Sequence, residues 1–240
     1  MIKSLLTAGL LLAAPAVFAQ KGFRFGPQIG LNYAGSNYSF PDVTSTDKTT
    51  TSYRTGLQAG VQVNYAFGAH YGLQSGLLFS QKGAHVENTY VTNYPTYTYT
   101  YNEAYDFRFN YLVLPLCLQY SSAENGQGLL LLAGPYFGLL TGGDYKSTLR
   151  SPQGGGGDSG NVAAGDTYDT NYSHHTYVSR GLDAGAQVGM GLGVNHLQVQ
   201  LVYSYGLRNL GAAYARGDAA PSYHNRCFTL SAAYLFGGGR

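Results

Sequence analysis

The chain has 240 residues, of which only 11% are charged, and it contains 34 glycines and 23 tyrosines. Soluble globular domains carry about 25% charged residues, so this composition does not favour an ordinary soluble protein. The net charge is +2 and the basic residues are scattered, which gives no reason to expect a nucleic-acid partner. No stretch reaches the roughly 18 to 20 apolar residues of a membrane-spanning helix. A membrane protein without such helices must be a closed β-barrel.

Residues 1–19 predict a cleaved signal peptide. Lys3 provides a basic start, residues 5–14 form an apolar run, and Ala19 completes a small-residue cleavage site. A short N-terminal core helix is the alternative, but Pro15 and the break in pattern after it suit processing better. We therefore expect an exported protein in which residues 20–240 form a single β-barrel domain.

Eight segments alternate between apolar and polar residues with a period of two, which predicts strands with two different faces. In the first segment Phe25, Ile29 and Leu31 share one face, whereas Gln28 and Asn32 share the other. The predicted strands cover, in order, residues 23–33, 53–67, 71–83, 105–120, 129–141, 182–194, 197–208 and 227–236. The fourth and fifth segments are apolar on both faces, so their register is not fixed by alternation. We assign four residues of the fourth segment to the outer face, namely Leu112, Leu114, Leu116 and Leu118.

The connections between these strands alternate between long and short. Long polar connections cover residues 34–52, 84–104, 143–176 and 209–223, and short turns lie at residues 68–70, at residues 121–127 and near Asn195. Bacterial membrane barrels have long outer loops and short periplasmic turns, whereas a soluble β-sandwich has no reason to sort its connections in this way. The sequence therefore predicts an all-β fold, an eight-stranded antiparallel up-and-down transmembrane β-barrel. We expect it in a Gram-negative outer membrane with both chain ends in the periplasm.

Aromatic residues near the strand ends predict the two interfacial girdles of such a barrel. They are Tyr33, Tyr53, Tyr65, Phe67, Tyr71, Tyr120, Tyr136, Tyr177, Tyr205 and Phe236. The two cysteines, Cys117 and Cys227, fall on predicted strands four apart in the barrel. Because a disulfide requires Cα atoms within about 7 Å, we expect no disulfide between them.

Polar and charged residues on the predicted inner face form a candidate lumen network. Its members are Arg24, Arg54, Gln58, Gln62, Lys82, Asp183, Gln187, Arg208 and Arg226. An anion-selective pore and a polar plug are the two interpretations. Eight strands leave an interior just wide enough for side chains, and unpaired buried charges are costly, so we favour the plug. Asp183 is its expected hub, bonded to one or more arginines.

Catalytic and metal-binding groupings are weak. Ser80 with His85 and Glu87 faintly resembles a nucleophile with a base, and chance explains it better. His174 and His175 could hold a metal with Asp166 and Asp169, but neighbouring histidines in a loop lack defined ligand geometry. We therefore predict that the protein is not an enzyme and has no cofactor or metal.

The second long connection is rich in tyrosine and threonine. Tyrosine offers a large contact area with a polar tip, which favours binding surfaces. The alternating pattern is equally consistent with a hairpin that extends strands three and four, and the two interpretations are compatible. The candidate binding residues are Tyr90, Tyr94, Tyr97, Tyr99 and Tyr101.

Several segments resemble, in order, those of the PorT-like outer-membrane β-barrel family, and the resemblance covers most of residues 20–240. They are residues 23–32 (FRFGPQIGLN), 111–116 (YLVLPL), 133–136 (AGPY), 181–185 (GLDAG), 203–207 (YSYGL) and 233–236 (AYLF). The resemblance implies an eight-stranded outer-membrane barrel in a functionally diverse family whose namesake assists protein secretion. The chain departs from the family at Val113, where an acidic residue is common, and in residues 237–240 after Phe236, where a terminal aromatic residue is the usual assembly signal.

The favoured function is that of an integral outer-membrane barrel with a closed polar lumen and a structural or surface-interaction role through its outer loops. The alternative, implied by the resemblance, is an accessory component of protein secretion or envelope assembly. A narrow channel or a lipid-modifying enzyme is less favoured. The expected partners are outer-membrane lipid and lipopolysaccharide, the barrel-assembly machinery, and envelope or secretion proteins.

Overall fold

The computed structural model describes residues 22–39, 48–93, 95–168, 175–213 and 219–237, and most of them lie in strands. The strands are β1 (Phe23–Ser39), β2 (Lys48–Ala66), β3 (Tyr71–Asn93), β4 (Thr98–Ala123), β5 (Gln127–Ser151), β6 (Gly154–Ala164), β7 (Thr176–Ser179), β8 (Leu182–Val194), β9 (Leu197–Gly206), β10 (Ser222–Tyr234) and β11 (Phe236–Gly237). One 3-10 helix spans Glu124–Gly126. No helix in the described residues is long and apolar enough to cross a membrane.

Eight of these strands close into a ring. The order of hydrogen-bonded neighbours is β1-β2-β3-β4-β5-β8-β9-β10, and β10 pairs back with β1. All neighbours in the ring are antiparallel. The prediction of an eight-stranded up-and-down barrel is therefore confirmed. Outside the ring, β6 pairs with β5, β7 pairs with β6, and β11 pairs with the start of β1.

Short turns gather at one end of the barrel, which we call the turn end. They are residues 67–70, the 3-10 helix and residues 195–196, in the places that the sequence predicts. Asn125 and Asn195 adopt positive φ values of 58° and 54° there, a conformation that asparagine tolerates better than most residues. The opposite end carries the long connections and is called the loop end.

The second and third long connections are mostly strand. This corrects their description as loops, and for the second connection it confirms the alternative of a hairpin that extends strands three and four. In residues 84–104, β3 and β4 pair without a break up to the Asn93–Thr98 pair. In residues 143–176, β5 continues to Ser151 and pairs with β6. Threonine, tyrosine and valine favour extended backbone, and a ladder that is already formed offers new partners at each step. Residues 40–47, 169–174 and 214–218 lie outside the described part of the chain.

An apolar band covers the outer face of the ring. On β4, the side chains of Leu112, Leu114, Leu116 and Leu118 are 38–51% exposed, so their assignment to the outer face is confirmed. The band spans Leu112–Tyr120 on β4 and Phe25–Tyr33 on β1. Nine residues per strand match the roughly 9 to 11 that a tilted strand needs to cross a bilayer. Below, this band marks the membrane-spanning part of each strand.

The barrel interior is polar near the turn end and apolar near the loop end. A buried cluster in the second half includes Phe107, Phe109 and Tyr223, together with Leu210 from the connection between β9 and β10. Two residues assigned to the girdles belong to this interior instead. Tyr136 is 1% exposed, and Tyr177 packs against the cluster, so those two assignments are wrong. Strand five is apolar on both faces, which hid the inward register of Tyr136.

Candidate functional site

Amide side chains fill the lumen near the turn end. Gln62 Nε2 donates hydrogen bonds to the oxygens of Asn64 at 2.9 Å and Gln198 at 2.8 Å. Gln74 and Gln200 exchange amide hydrogen bonds of 3.0 and 2.8 Å across the lumen. These residues come from β2, β3 and β9, so their bonds tie opposite walls of the barrel together. Each amide offers both donors and an acceptor, so these side chains can bond to one another in several directions, although the Gln62 oxygen has no partner among the described residues.

Arg24 closes the turn end of this network. Its guanidinium donates to the backbone carbonyl of Asn125 at 3.1 Å and to that of Asn195. The two carbonyls belong to different short turns, so one side chain links the β4–β5 and β8–β9 connections. Arg24 thus lies in the lumen, as the alternation predicts, but its bonds are to backbone and not to Asp183.

A buried ion pair lies at the boundary between the polar and apolar halves. Lys82 Nζ is 2.9 Å from Asp183 Oδ2, and both side chains are almost fully buried. Tyr136 donates its hydroxyl to Asp183 at 3.2 Å, and Asn225 donates an amide hydrogen at 3.0 Å. Asp183 is therefore a hub, but its cationic partner is a lysine and not the expected arginine. The Lys82 ammonium also lies 4.5 Å from the ring centre of Tyr136, a cation–π contact.

Two small cavities lie beside the lumen side chains in the described part of the chain. One, of about 20 Å³, adjoins Arg24 and Gln119, and the other, of about 40 Å³, adjoins Gln58, Lys82 and Gln187. Because a water molecule needs roughly 10 to 15 Å³ of such volume, each cavity accommodates only a few waters.

Three of the predicted network residues lie elsewhere. Arg54 is half-buried and pairs with Asp106. Arg208 is exposed just after β9. Arg226 alternates with buried neighbours on β10, so it points outward, and its guanidinium lies 5.6 Å from the ring centre of Tyr205. Placing these three in the lumen network was wrong. Arg54 lies in the irregular stretch of β2 between Tyr53 and Gln58, and Arg208 lies beyond the end of β9. Arg226 shares the outward face of β10 with Phe228 and Leu230.

Gln187 is half-buried and donates to the sulfur of Cys117 at 2.9 Å. Both cysteines, Cys117 and Cys227, are buried and free.

A cup of aromatic side chains opens at the loop end, above the apolar cluster. Its rings come from Tyr38, Tyr90, Tyr105, Phe107, Tyr145, Tyr168 and Tyr177, and its other lining residues are Val86, Asn88, Glu103 and Thr176. We call this set the tyrosine cup. Its volume is about 270 Å³, far larger than the two lumen cavities. The cup is built where β3, β4 and β5 continue beyond the apolar band.

Two polar side chains of the tyrosine cup have well-defined partners. Glu103 accepts a hydrogen bond of 2.5 Å from the Tyr105 hydroxyl. Asn88 is 3% exposed, and its oxygen accepts a bond of 2.9 Å from Thr49. The Asn88 Nδ2 group has no hydrogen-bond partner among the described residues.

The tyrosines of the second long connection divide into separate groups. Tyr90 and Tyr101 are cross-strand partners whose rings stack with centres 4.7 Å apart, and Tyr99 lies against Tyr101 at 6.1 Å. Tyr97 is 58% exposed at the tip of the hairpin. Among the four candidates that the structure describes, Tyr90 alone lines the cup, and Tyr94 lies outside the described residues.

A hydrogen-bonded triplet supports the outer wall of the cup. The Tyr145 hydroxyl donates to Asp158 at 2.8 Å, and His175 Nδ1 lies 2.6 Å from the other oxygen of that carboxylate. Burial and the bond to Asp158 raise the pKa of Tyr145 to about 12. The bonds from Tyr145 and then from His175 lower the pKa of Asp158. These contacts hold β6 and the start of β7 against β5.

The weak catalytic and metal groupings are not brought together. Ser80 is buried on the inner face and bonds to Asn32. His85 and Glu87 pair on the opposite, outer face. Asp166 lies 3.7 Å from Arg180, and His175 bonds to Asp158 instead, while His174 and Asp169 lie outside the described residues. Within the described ranges, no group of three or more His, Cys, Asp or Glu residues could hold a metal ion.

Sequence reasoning missed most of the cup. Tyr38, Tyr145, Tyr168 and Tyr177 are far apart in the sequence, and Asn88 stands among polar residues that resemble a loop. The sequence did contain one usable signal. The inner face of strand four changes from a polar residue, Gln119, to aromatic residues, Phe107 and Tyr105, and aromatic side chains there predict the wall of a cavity and not a polar plug.

A closed ring of eight antiparallel strands with an apolar outer band defines this protein as a transmembrane β-barrel. It belongs to the family described as "Outer membrane protein beta-barrel domain", whose model matches residues 18–211. It is therefore an outer-membrane barrel protein. The match ends before the eighth ring strand, β10, which is identified by its pairing with β1 and β9. No curated protein matches the chain.

Solved outer-membrane barrels are similar in structure. The attachment invasion locus protein Ail of Yersinia pestis matches 90% of this chain and 100% of its own, with 10% identity and a TM-score of 0.39. OprG from Pseudomonas aeruginosa matches 92% and 99%, with 13% identity and a TM-score of 0.40. Neisserial surface protein A matches 90% and 98%, with 10% identity and a TM-score of 0.41. At these values the likenesses carry no argument about function.

Proposed function

We propose that this protein is a non-conducting outer-membrane barrel whose loop end serves as an interaction surface outside the cell. The observation that carries the proposal is the contrast between a lumen with cavities of only about 20 and 40 Å³ and a cup of about 270 Å³ at the loop end. Hydrogen bonds between side-chain amides hold the opposite walls of this barrel together. Such a barrel is suited to support a surface and not to pass solutes.

The proposal that the lumen is closed can be tested by measuring the conductance of the protein. We expect the purified protein, reconstituted in a planar bilayer, to give no steady current, because amide pairs such as Gln74–Gln200 cross the lumen. A matched control is the same protein with Gln74 and Gln200 both changed to Gly, which should leak if those side chains obstruct the lumen. Steady anion-selective current from the unaltered protein would contradict the proposal.

The orientation is part of the proposal. We place the loop end outside the cell and both chain ends in the periplasm of a Gram-negative envelope, after removal of residues 1–19 as a signal peptide. Support comes from the sorting of short turns to one end, as in bacterial outer-membrane barrels. A membrane-impermeant maleimide should label Tyr97→Cys at the hairpin tip on intact cells and should not label Ala69→Cys in the first short turn. The native cysteines are buried and should not react. The reverse pattern would overturn the orientation.

We propose that the protein has no enzymatic activity. The support is that Ser80 and the His85–Glu87 pair lie on opposite faces of β3. Incubation with phospholipid and lipopolysaccharide should release no acyl chains, and release that is lost in Ser80→Ala would refute this part of the proposal.

An accessory role in protein secretion or envelope assembly is the second candidate, and its support is the resemblance to the PorT-like family. It predicts that loss of the gene reduces the set of proteins secreted, whereas a surface role leaves that set unchanged. The partners expected in either case are outer-membrane lipid, lipopolysaccharide and the barrel-assembly machinery, and envelope or secretion proteins in the second.

A further inference from the structure

We propose that the tyrosine cup binds a small organic cation, a quaternary ammonium group with a nearby hydroxyl or carbonyl oxygen. The inference deepens the proposed surface role and rests on it for access from outside the cell. The binding itself is a property of the purified barrel, and its test does not depend on orientation.

The rings of the tyrosine cup surround its volume from several directions. Phe107 and Tyr177 have ring centres 4.6 Å apart at an interplanar angle of 50°. Tyr168 meets Tyr177 edge-on at 83°, and Tyr145 meets it at 53°. A sugar ring stacks one of its C–H faces on a single aromatic platform, whereas aromatic rings inclined to each other form a cage. Aromatic cages bind quaternary ammonium groups through the negative potential of the ring faces.

The charge of the lining favours a cation. Glu103 is the charged residue that lines the cup, and no lysine, arginine or histidine is found among the described lining residues. Glu103 is held in place by the Tyr105 hydroxyl, and a cation in the cup would lie beside its carboxylate. An anionic ligand such as a sulfated sugar would face this carboxylate without a compensating positive group, so the lining disfavours it.

Asn88 supplies a directional contact. This side chain is almost fully buried and lines the cup, yet its Nδ2 group has no partner among the described residues. Buried polar groups in proteins are nearly always hydrogen-bonded, and those left unpaired call for an explanation. An oxygen acceptor on the ligand, close to its ammonium group, would accept that hydrogen bond. The cation and the acceptor together specify a molecule of the choline type.

The volume limits the ligand to a small molecule. About 270 Å³ lies just below the range of about 300 to 1,000 Å³ typical of small-ligand sites. The floor of the cup is the buried cluster with Phe107 and Val86, so a ligand cannot pass from the cup into the lumen without unpacking it. The cup is therefore suited to capture and not to transport.

Calorimetric titration of the refolded barrel tests the proposal, with choline as the probe. The detergent should be of the polyoxyethylene type, because amine-oxide and phosphocholine detergents carry competing head groups. We expect choline to bind and its neutral isostere 3,3-dimethyl-1-butanol to bind at least about tenfold more weakly. Tetramethylammonium, which lacks the oxygen, should bind about threefold to tenfold more weakly than choline. Equal binding of the neutral isostere, or binding of glucose with none of choline, would overturn the inference.

Variants locate the site. Glu103→Gln and Tyr168→Leu should each weaken choline binding by about tenfold. The matched control is Glu87→Gln, which removes a carboxylate from the outer face of the same hairpin and should leave binding within about twofold of the unaltered protein. Heat-modifiable gel migration shows that each variant has folded. Equal losses from Glu103→Gln and Glu87→Gln would show a general charge effect and refute the site. Absence of choline binding together with correct maleimide labelling at Tyr97→Cys would reject this inference and leave the proposed function standing.

Discussion

The two halves of the barrel interior can be compared strand by strand, because the same strands line both. Near the turn end the inward residues of β2, β3 and β9 are amides such as Gln62, Gln74 and Gln198, and they bond across the lumen. Near the loop end the inward residues of β4 are Phe107 and Tyr105. Side-chain amides form hydrogen bonds with the opposite wall and fill the lumen. The aromatic rings pack at angles to each other and leave a cavity, the tyrosine cup, between them. The chemistry of the inner face, and not the number of strands, thus decides where the barrel is filled and where it is open.

Substitution at the boundary between the two halves should lower the free energy of unfolding more than substitution elsewhere in the interior. Lys82→Met would leave the Asp183 carboxylate buried without its cation, and such a change typically costs about 3 to 5 kcal/mol. Urea unfolding of the protein in lipid vesicles, followed by heat-modifiable migration, measures this loss. Lys146→Met, on the exposed face of β5, is the control. The boundary would have no special importance if both variants were equally stable, and Lys82→Met with Asp183→Asn should recover part of the loss.

The amide network of the polar half should tolerate substitution poorly, although its amide members are uncharged. Gln62→Leu would leave the Asn64 oxygen without its donor, at a cost of about 1 to 3 kcal/mol, whereas the Gln198 oxygen would keep its bond from the Asn64 amide. The outward substitution Gln81→Leu on β3 serves for comparison, because its side chain is not part of the network. An unchanged unfolding midpoint for Gln62→Leu would mean that waters replace the amide and that the network is less tightly closed than its distances indicate.

A substitution in the β3–β4 hairpin above the cup should change the stability of that hairpin alone. Tyr101→Leu removes the stacking with Tyr90, which is worth about 0.5 to 1.5 kcal/mol, while the apolar band below is untouched. Hydrogen exchange should accelerate for the amides of residues 88–103 and not for residues 112–120. Faster exchange in both segments would contradict the separation of the two regions, and Glu87→Gln in the same hairpin should change neither.

The smallest expected effect is the titration of one tyrosine among 23. Burial and the bond to Asp158 raise the pKa of Tyr145 to about 12, so its contribution to stability is intact below about pH 10 and lost as the pH rises through about 12. Asp158 has the opposite sign, because its lowered pKa stabilises the fold above the ordinary value near 4 and that contribution is lost as the pH falls through the lowered pKa. The titration of Tyr145 can be followed by NMR of tyrosine labelled with ¹³C at the ring Cζ, with Tyr145→Phe to assign its resonance. A Tyr145 resonance that titrates with the exposed tyrosines would contradict the bond.

The sequence by itself determined the eight strands, the sorting of their connections and the outer face, because period-two alternation and turn residues are local signals. Residues such as Leu31 and Asp183 could be placed on their correct faces in this way. Only the tertiary structure decided which inward residues meet, since closing the ring brings together strands that are distant in the sequence. Lys82 on β3 meets Asp183 on β8, and Tyr38, Tyr105 and Tyr177 join in one cup, although nothing near any of them in the sequence marks the others. For residues 84–104 the sequence left a loop surface and a hairpin both open, and the pairing of β3 with β4 decided for the hairpin. The pairing of β5 with β6 in the third long connection required the structure, because its glycine-rich residues 154–157 are typical of a loop.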